Sequence, residues 1–152
     1  MENKQSHINN LRLGGATVSF MSDLSDVEYL AVSYFRLWHD STEAQERLKR
    51  ELTVMLGYYE GYKTAQSFND LCNWFFTKGR RPLVKHDINC ECVGVDEHYF
   101  AKLLETAAYC DKEDAIMLAI LQVPANIAPL LADLACSTGL ALKRITLRNT
   151  KH

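Results

Sequence analysis

The stretch Ser25-Asp26-Val27-Glu28-Tyr29-Leu30-Ala31-Val32-Ser33-Tyr34-Phe35-Arg36-Leu37-Trp38 decides the fold class. It opens on a capping box, Ser25 with Glu28 three residues on: the hydroxyl accepts from an exposed amide and the Glu reaches back. Val27, Leu30, Ala31, Tyr34, Phe35 and Trp38 then recur at helical spacing, so one face is apolar and needs a partner. Asp40-Ser41-Thr42 breaks the pattern. A second helix follows from near Thr42, with Ala44, Leu48, Leu52, Met55, Leu56 and Tyr59 inside and Glu43–Arg47 and Glu46–Arg50 spaced for surface ion pairs.

The same reading extends in both directions. Gly57-Tyr58-Tyr59-Glu60-Gly61 marks a joint or a weakened helix, and Ala65, Phe68, Leu71, Cys72 and Phe75 define a third helix ending near Lys78-Gly79. Asp96 is a suitable N-cap for a fourth, with Phe100, Leu103, Leu104, Ala107 and Ala108 inside. Asp111 caps a fifth, Lys112 to Gln122, apolar around most of its circumference and therefore expected to be the central buried helix. Pro124 opens a sixth, with Ile127, Leu130, Leu131, Leu134 and Ala135 on its face and Gly139 at its end. Residues 141–152 read as a basic tail (Lys143, Arg144, Arg148, Lys151) whose first half can form a strand. Residues 1–22 read as a loosely held arm with a turn at Gly14-Gly15 and a short strand from Ala16 to Met21. The expectation is an all-α, single-domain bundle of about six helices over 23–140, with at most a minor terminal strand pair.

Length suits one core at 152 residues, and a net charge of -2 removes weight from dedicated nucleic-acid binding. The longest strongly apolar run, Ala115 to Val123, falls far short of a bilayer span, and the polar start Met1-Glu2-Asn3-Lys4-Gln5 lacks a signal core. A cytoplasmic location is the default expectation. Five cysteines, Cys72, Cys90, Cys92, Cys110 and Cys136, form an odd set that argues against a disulfide framework. Cys110 and Cys136 read as small apolar core groups. Tyr58, Tyr59, Tyr62, Trp74, Phe75 and Phe76 are expected to be mostly core, with Trp38 or Trp74 at an edge able to anchor a partner.

Residues 79–95 are the one long connector in the body of the chain. Within it His86, Cys90 and Cys92 are spaced H-x3-C-x-C, and thiolate with imidazole suits zinc. His98, in the first turn of the next helix, is the candidate fourth ligand. Asp96, Cys72, Cys110 or a water are the other options, a water making the site open and catalytic. The plainer alternative is two buried thiols and a surface histidine, which a loop containing Asp87, Asn89 and Glu91 fits poorly. In a redox reading Cys90 and Cys92 oxidise, with Lys85 or His86 favouring the thiolate; strain in a C-x-C ring counts against it. The zinc-deaminase pattern and H-E-x-x-H both fail to match. Glu97 and His98 stand where they could do acid–base work on a metal-bound water. Lys78, Arg80, Arg81 and Lys85 form a basic stretch able to meet an acidic partner or a phosphate backbone.

The run Arg81-Pro82-Leu83-Val84-Lys85-His86, then Cys90-Glu91-Cys92-Val93-Gly94-Val95-Asp96-Glu97, resembles a group of small uncharacterised alphaproteobacterial proteins sharing R-P-L-x-[RK]-H-x3-C-x-C-x-G-x-D-E. Asp114-Ala115-Ile116-Met117-Leu118-Ala119 and Gly139-Leu140-Ala141-Leu142-Lys143-Arg144 extend the resemblance over the second half of the chain. It implies no activity, but it implies that His86, Cys90 and Cys92 belong to a shared pattern. The resulting expectation is a metal-binding regulatory or interaction protein. In it zinc holds the loop between the third and fourth helices, and a protein partner or a second copy docks on the chain. A metalloenzyme with an open Cys2His site and a nucleic-acid-associated regulator are the alternatives.

Overall fold

The computed structural model describes residues 14–109 and 111–149. The expected N-terminal arm therefore falls partly, and Cys110 and Lys151 wholly, outside the described residues. Among those described, six helices and one two-stranded antiparallel sheet form the fold: β1 (Thr17–Phe20), α1 (Asp26–Asp40), α2 (Thr42–Leu56), α3 (Tyr58–Lys78), β2 (Cys92–Gly94), α4 (Val95–Ala108), α5 (Lys112–Ile120) and α6 (Ala128–Asn149). It is the all-α bundle with a minor strand pair that the periodicity predicts. No helix among the described residues is long and apolar enough to cross a membrane.

Local signals mark several helix ends as read. Ser25 Oγ accepts from the Glu28 amide at 3.2 Å while Glu28 Oε1 accepts from Ser25 N at 3.0 Å. Asp111 caps α5 through the Asp114 amide. Gly57, at φ 90°, is the joint between α2 and α3, a conformation that suits glycine. On the outer face of α2, Glu46 meets Lys49 at 3.1 Å.

Four readings are corrected by packing. First, α5 is not the central helix: Ala115 and Ala119 are buried, but Met117 and Leu121 beyond it are 67% and 58% exposed. The centre is shared by α6, which packs against all five other helices, and α4, which packs against α1, α5 and α6. Its Phe100 gathers Phe35 of α1 (centroids 4.7 Å) and Phe68 and Phe75 of α3 (5.8 and 6.1 Å). Periodicity reports how much apolar surface a helix carries, not how many neighbours reach it. Second, Gly139 does not end α6, which runs on to Asn149 with Ala141, Leu142 and Ile145 buried. Gly139 is instead a point of close approach: a Cβ there would lie 2.5 Å from the Leu104 carbonyl oxygen. The basic tail is thus largely helix, with Arg144 near Glu60, Arg148 donating to the Met55 carbonyl and Lys143 over the Tyr109 ring. Third, of the aromatic-rich set only Phe75 is fully buried; Tyr58, Tyr59, Tyr62 and Phe76 are exposed and Trp74 is half-buried. Fourth, the partner of β1 is not the C-terminal segment but β2, inside the long connector, with Thr17 opposite Gly94 and Phe20 opposite Cys92.

Candidate functional site: a thiol loop held by buried charge

The connector between α3 and α4 is built around the first turn of α4. That helix starts one residue before Asp96, so Asp96 is not its cap. The Asp96 carboxylate, 1% exposed, accepts from both terminal nitrogens of Arg81 (2.7 and 2.6 Å) and from the Val84 amide (2.7 Å). Glu97, fully buried, closes the helix start by accepting from Gly94 N at 3.1 Å and also accepts from His86 N at 3.2 Å.

Opposite Glu97 stands Arg36, from the middle of α1 and 1% exposed. Its Nε and Nη2 donate to Glu97 at 2.6 and 3.1 Å, a two-point pairing. The remaining N–H groups donate to the carbonyls of Cys90 (2.6 Å) and Cys92 (2.7 Å), with a longer contact to Ile88 (3.5 Å). One ion pair therefore holds the backbone of His86, Cys90 and Cys92 at once.

The side chains then follow from local geometry. Asp87-Ile88-Asn89-Cys90 is a turn closed by the Cys90 amide on the Asp87 carbonyl (2.9 Å), with Asp and Asn in turn-favoured positions. The turn brings Cys90 back beside His86, and Sγ lies 3.6 Å from Nδ1. The other ring nitrogen, Nε2, is 2.7 Å from the Gly15 carbonyl oxygen. A carbonyl can only accept, so Nε2 carries a proton, and in the neutral ring Nδ1 is the free acceptor facing the thiol. Gly94 allows this placement: a Cβ there would come within 2.9 Å of Nε2.

The two groups are shifted in opposite directions. Burial pulls the His86 pKa down, but the Gly15 carbonyl, the Cys90 sulfur and the charge of Glu97 outweigh it and leave it raised. The Cys90 thiol is lowered, first by the Cys92 backbone N–H, then by His86, with a smaller contribution from the Cys92 thiol. Cys72, by contrast, is pushed well up by burial in the core.

Of the four residues expected to ligate a metal, His86 and Cys90 meet, and Cys92, two residues on, is tied to the same Arg36 guanidinium through its carbonyl. His98 does not join them in a donor set, and its Nδ1 is enclosed without a hydrogen-bond partner. No group of three His, Cys, Asp or Glu side chains among the described residues is arranged to hold a metal ion. The basic stretch is partly committed within the fold: Arg81 to Asp96, Lys85 to Asp40 at 3.7 Å, and Arg80 to the carbonyl of Ile120; Lys78 is exposed. Sequence reasoning missed Arg36, Gly15 and Gly94. The available signal for Arg36 was an arginine flanked by Phe35 and Leu37 in the mainly apolar middle of α1, matched by the acidic pair opening α4. Comparison with protein families, curated proteins and solved structures finds no match, so the reading of the site rests on its own geometry.

Proposed function

We propose that this protein is a thiol-based regulatory protein in which Cys90 is the reactive group, His86 its proton acceptor and the Arg36–Glu97 pair the support that holds them. The observation that carries the reading is the two-sided use of His86: Nε2 committed to Gly15, Nδ1 3.6 Å from the Cys90 sulfur. A histidine oriented by a third group and facing a thiol is the arrangement that generates a nucleophilic thiolate near neutral pH. Cys90 is half-buried, whereas Cys72 is buried.

The test is competitive alkylation of the native protein with limiting iodoacetamide, followed by peptide mapping. Cys90 is expected to label first, at a pH below that of an ordinary thiol, and His86→Gln to slow that labelling about tenfold or more at neutral pH. As pH rises through the His86 range the wild-type advantage persists as thiolate; as pH falls through the lowered Cys90 range it disappears. Labelling of Cys90 no faster than Cys92, or indifference to His86→Gln, would sink the reading. Purified protein that carries stoichiometric zinc and labels only after chelation would replace it with the metal clasp.

A further inference from the structure

Resting on that reading, we propose that Cys90 and Cys92 form a hydroperoxide-responsive pair, Cys90 taking the oxygen and Cys92 closing an intramolecular disulfide. The support is positional. In an extended strand, residues two apart face the same way but stand nearly a full strand repeat apart. Here the chain bends at Glu91, between the two cysteines, which shortens that separation. The carbonyls of both residues are held by the same buried guanidinium, so neither cysteine drifts from the other. The turn at Asp87–Cys90 leaves Asp87, Ile88 and Asn89 exposed, so a small peroxide reaches the sulfur from that side.

The chemistry balances in two steps. The Cys90 thiolate attacks the terminal oxygen of the hydroperoxide; the O–O bond breaks, the alkoxide takes a proton and leaves as alcohol (water, for hydrogen peroxide), and Cys90 becomes a sulfenic acid. The Cys92 thiol then attacks that sulfur; the S–O bond breaks, the thiol proton and the hydroxyl leave as water, and the S–S bond forms. The two electrons lost by the thiols are those gained by the peroxide.

The experiment treats the full chain with equimolar hydrogen peroxide, with and without dimedone, and reads intact mass and peptides. Wild-type protein is expected to lose the mass of two hydrogens, restored by dithiothreitol, with the link inside the peptide spanning both cysteines. Cys92→Ser is expected to keep a dimedone-trappable sulfenic acid on Cys90, and Cys90→Ser to show neither product. Dimedone labelling of wild type as complete as that of Cys92→Ser, or a link formed only between chains, overturns this inference. Preferential alkylation of Cys90 would still stand in that case, which separates this failure from failure of the thiol reading itself. The wild-type mass change decides the matter even if a variant folds poorly.

Discussion

Helix α4 is two regions in one element. Its first turn, Asp96 and Glu97, is buried charge that binds the preceding loop to α1. Its body, Phe100 to Ala108, is an apolar stripe that organises the rest of the bundle. Both regions are equally removed from water, yet they fail in different ways. An apolar contact is non-directional and degrades with the volume lost. A buried ion pair is all-or-none, because either member left alone is an uncompensated charge.

The largest effect should come from breaking either region outright. Glu97→Ala and Phe100→Ala are each expected to cost about 3–5 kcal/mol in urea denaturation. They part company on rescue: adding Arg36→Met to Glu97→Ala should recover a substantial share of the loss, since it removes the stranded guanidinium. No recovery in the double variant would mean that the carbonyl contacts of Arg36, not its charge balance, hold the loop. Phe100→Ala should leave Cys90 alkylation, referenced to folded protein, close to wild type, whereas Glu97→Ala should slow it.

A second, smaller perturbation tests the apolar half. Gly139→Ala places a methyl group against the Leu104 carbonyl of α4 and should destabilise by about 1–3 kcal/mol. A thermally unchanged variant would mean that α6 can slide along α4 at no cost.

The smallest effect concerns the outer side of α4. Glu105 is raised above the ordinary carboxylate value by burial first and by the charge of Glu28 second, against the pull of Lys102. A group whose folded pKa is raised contributes stability in full below its unfolded pKa and loses it as pH rises through the folded value. At neutral pH Glu105 is therefore unfavourable. Glu105→Gln should raise the melting temperature slightly at pH 7, with the gain vanishing in acid. A lower melting temperature at pH 7 would show that the Lys102 contact at 3.7 Å outweighs the repulsion.

The same division explains what could be read ahead of the structure. The turn that brings Cys90 to His86 spans four residues and is encoded by Asp87 and Asn89, so the two were legible as neighbours, though as two of the ligands of a metal clasp. Its chemistry was not, because the group that orients His86 lies 71 residues away at Gly15, and the base of the loop lies 61 residues from Glu97 at Arg36. The apolar circumference of α5 was equally legible and was misread as depth.

The sequence by itself determined the helix count, the caps at Ser25 and Asp111, the joint at Gly57 and the proximity of His86 to Cys90. Each of these is settled within a turn or two of backbone, where hydrogen-bond partners are neighbours along the chain. Only the tertiary structure decided that α4 and α6 share the centre, that Gly139 lies inside a helix, and that Arg36 and Glu97 hold the thiol loop. Those depend on which surfaces meet. An apolar stripe or a buried charge specifies that it must have a partner, but it does not say which distant residue that partner is.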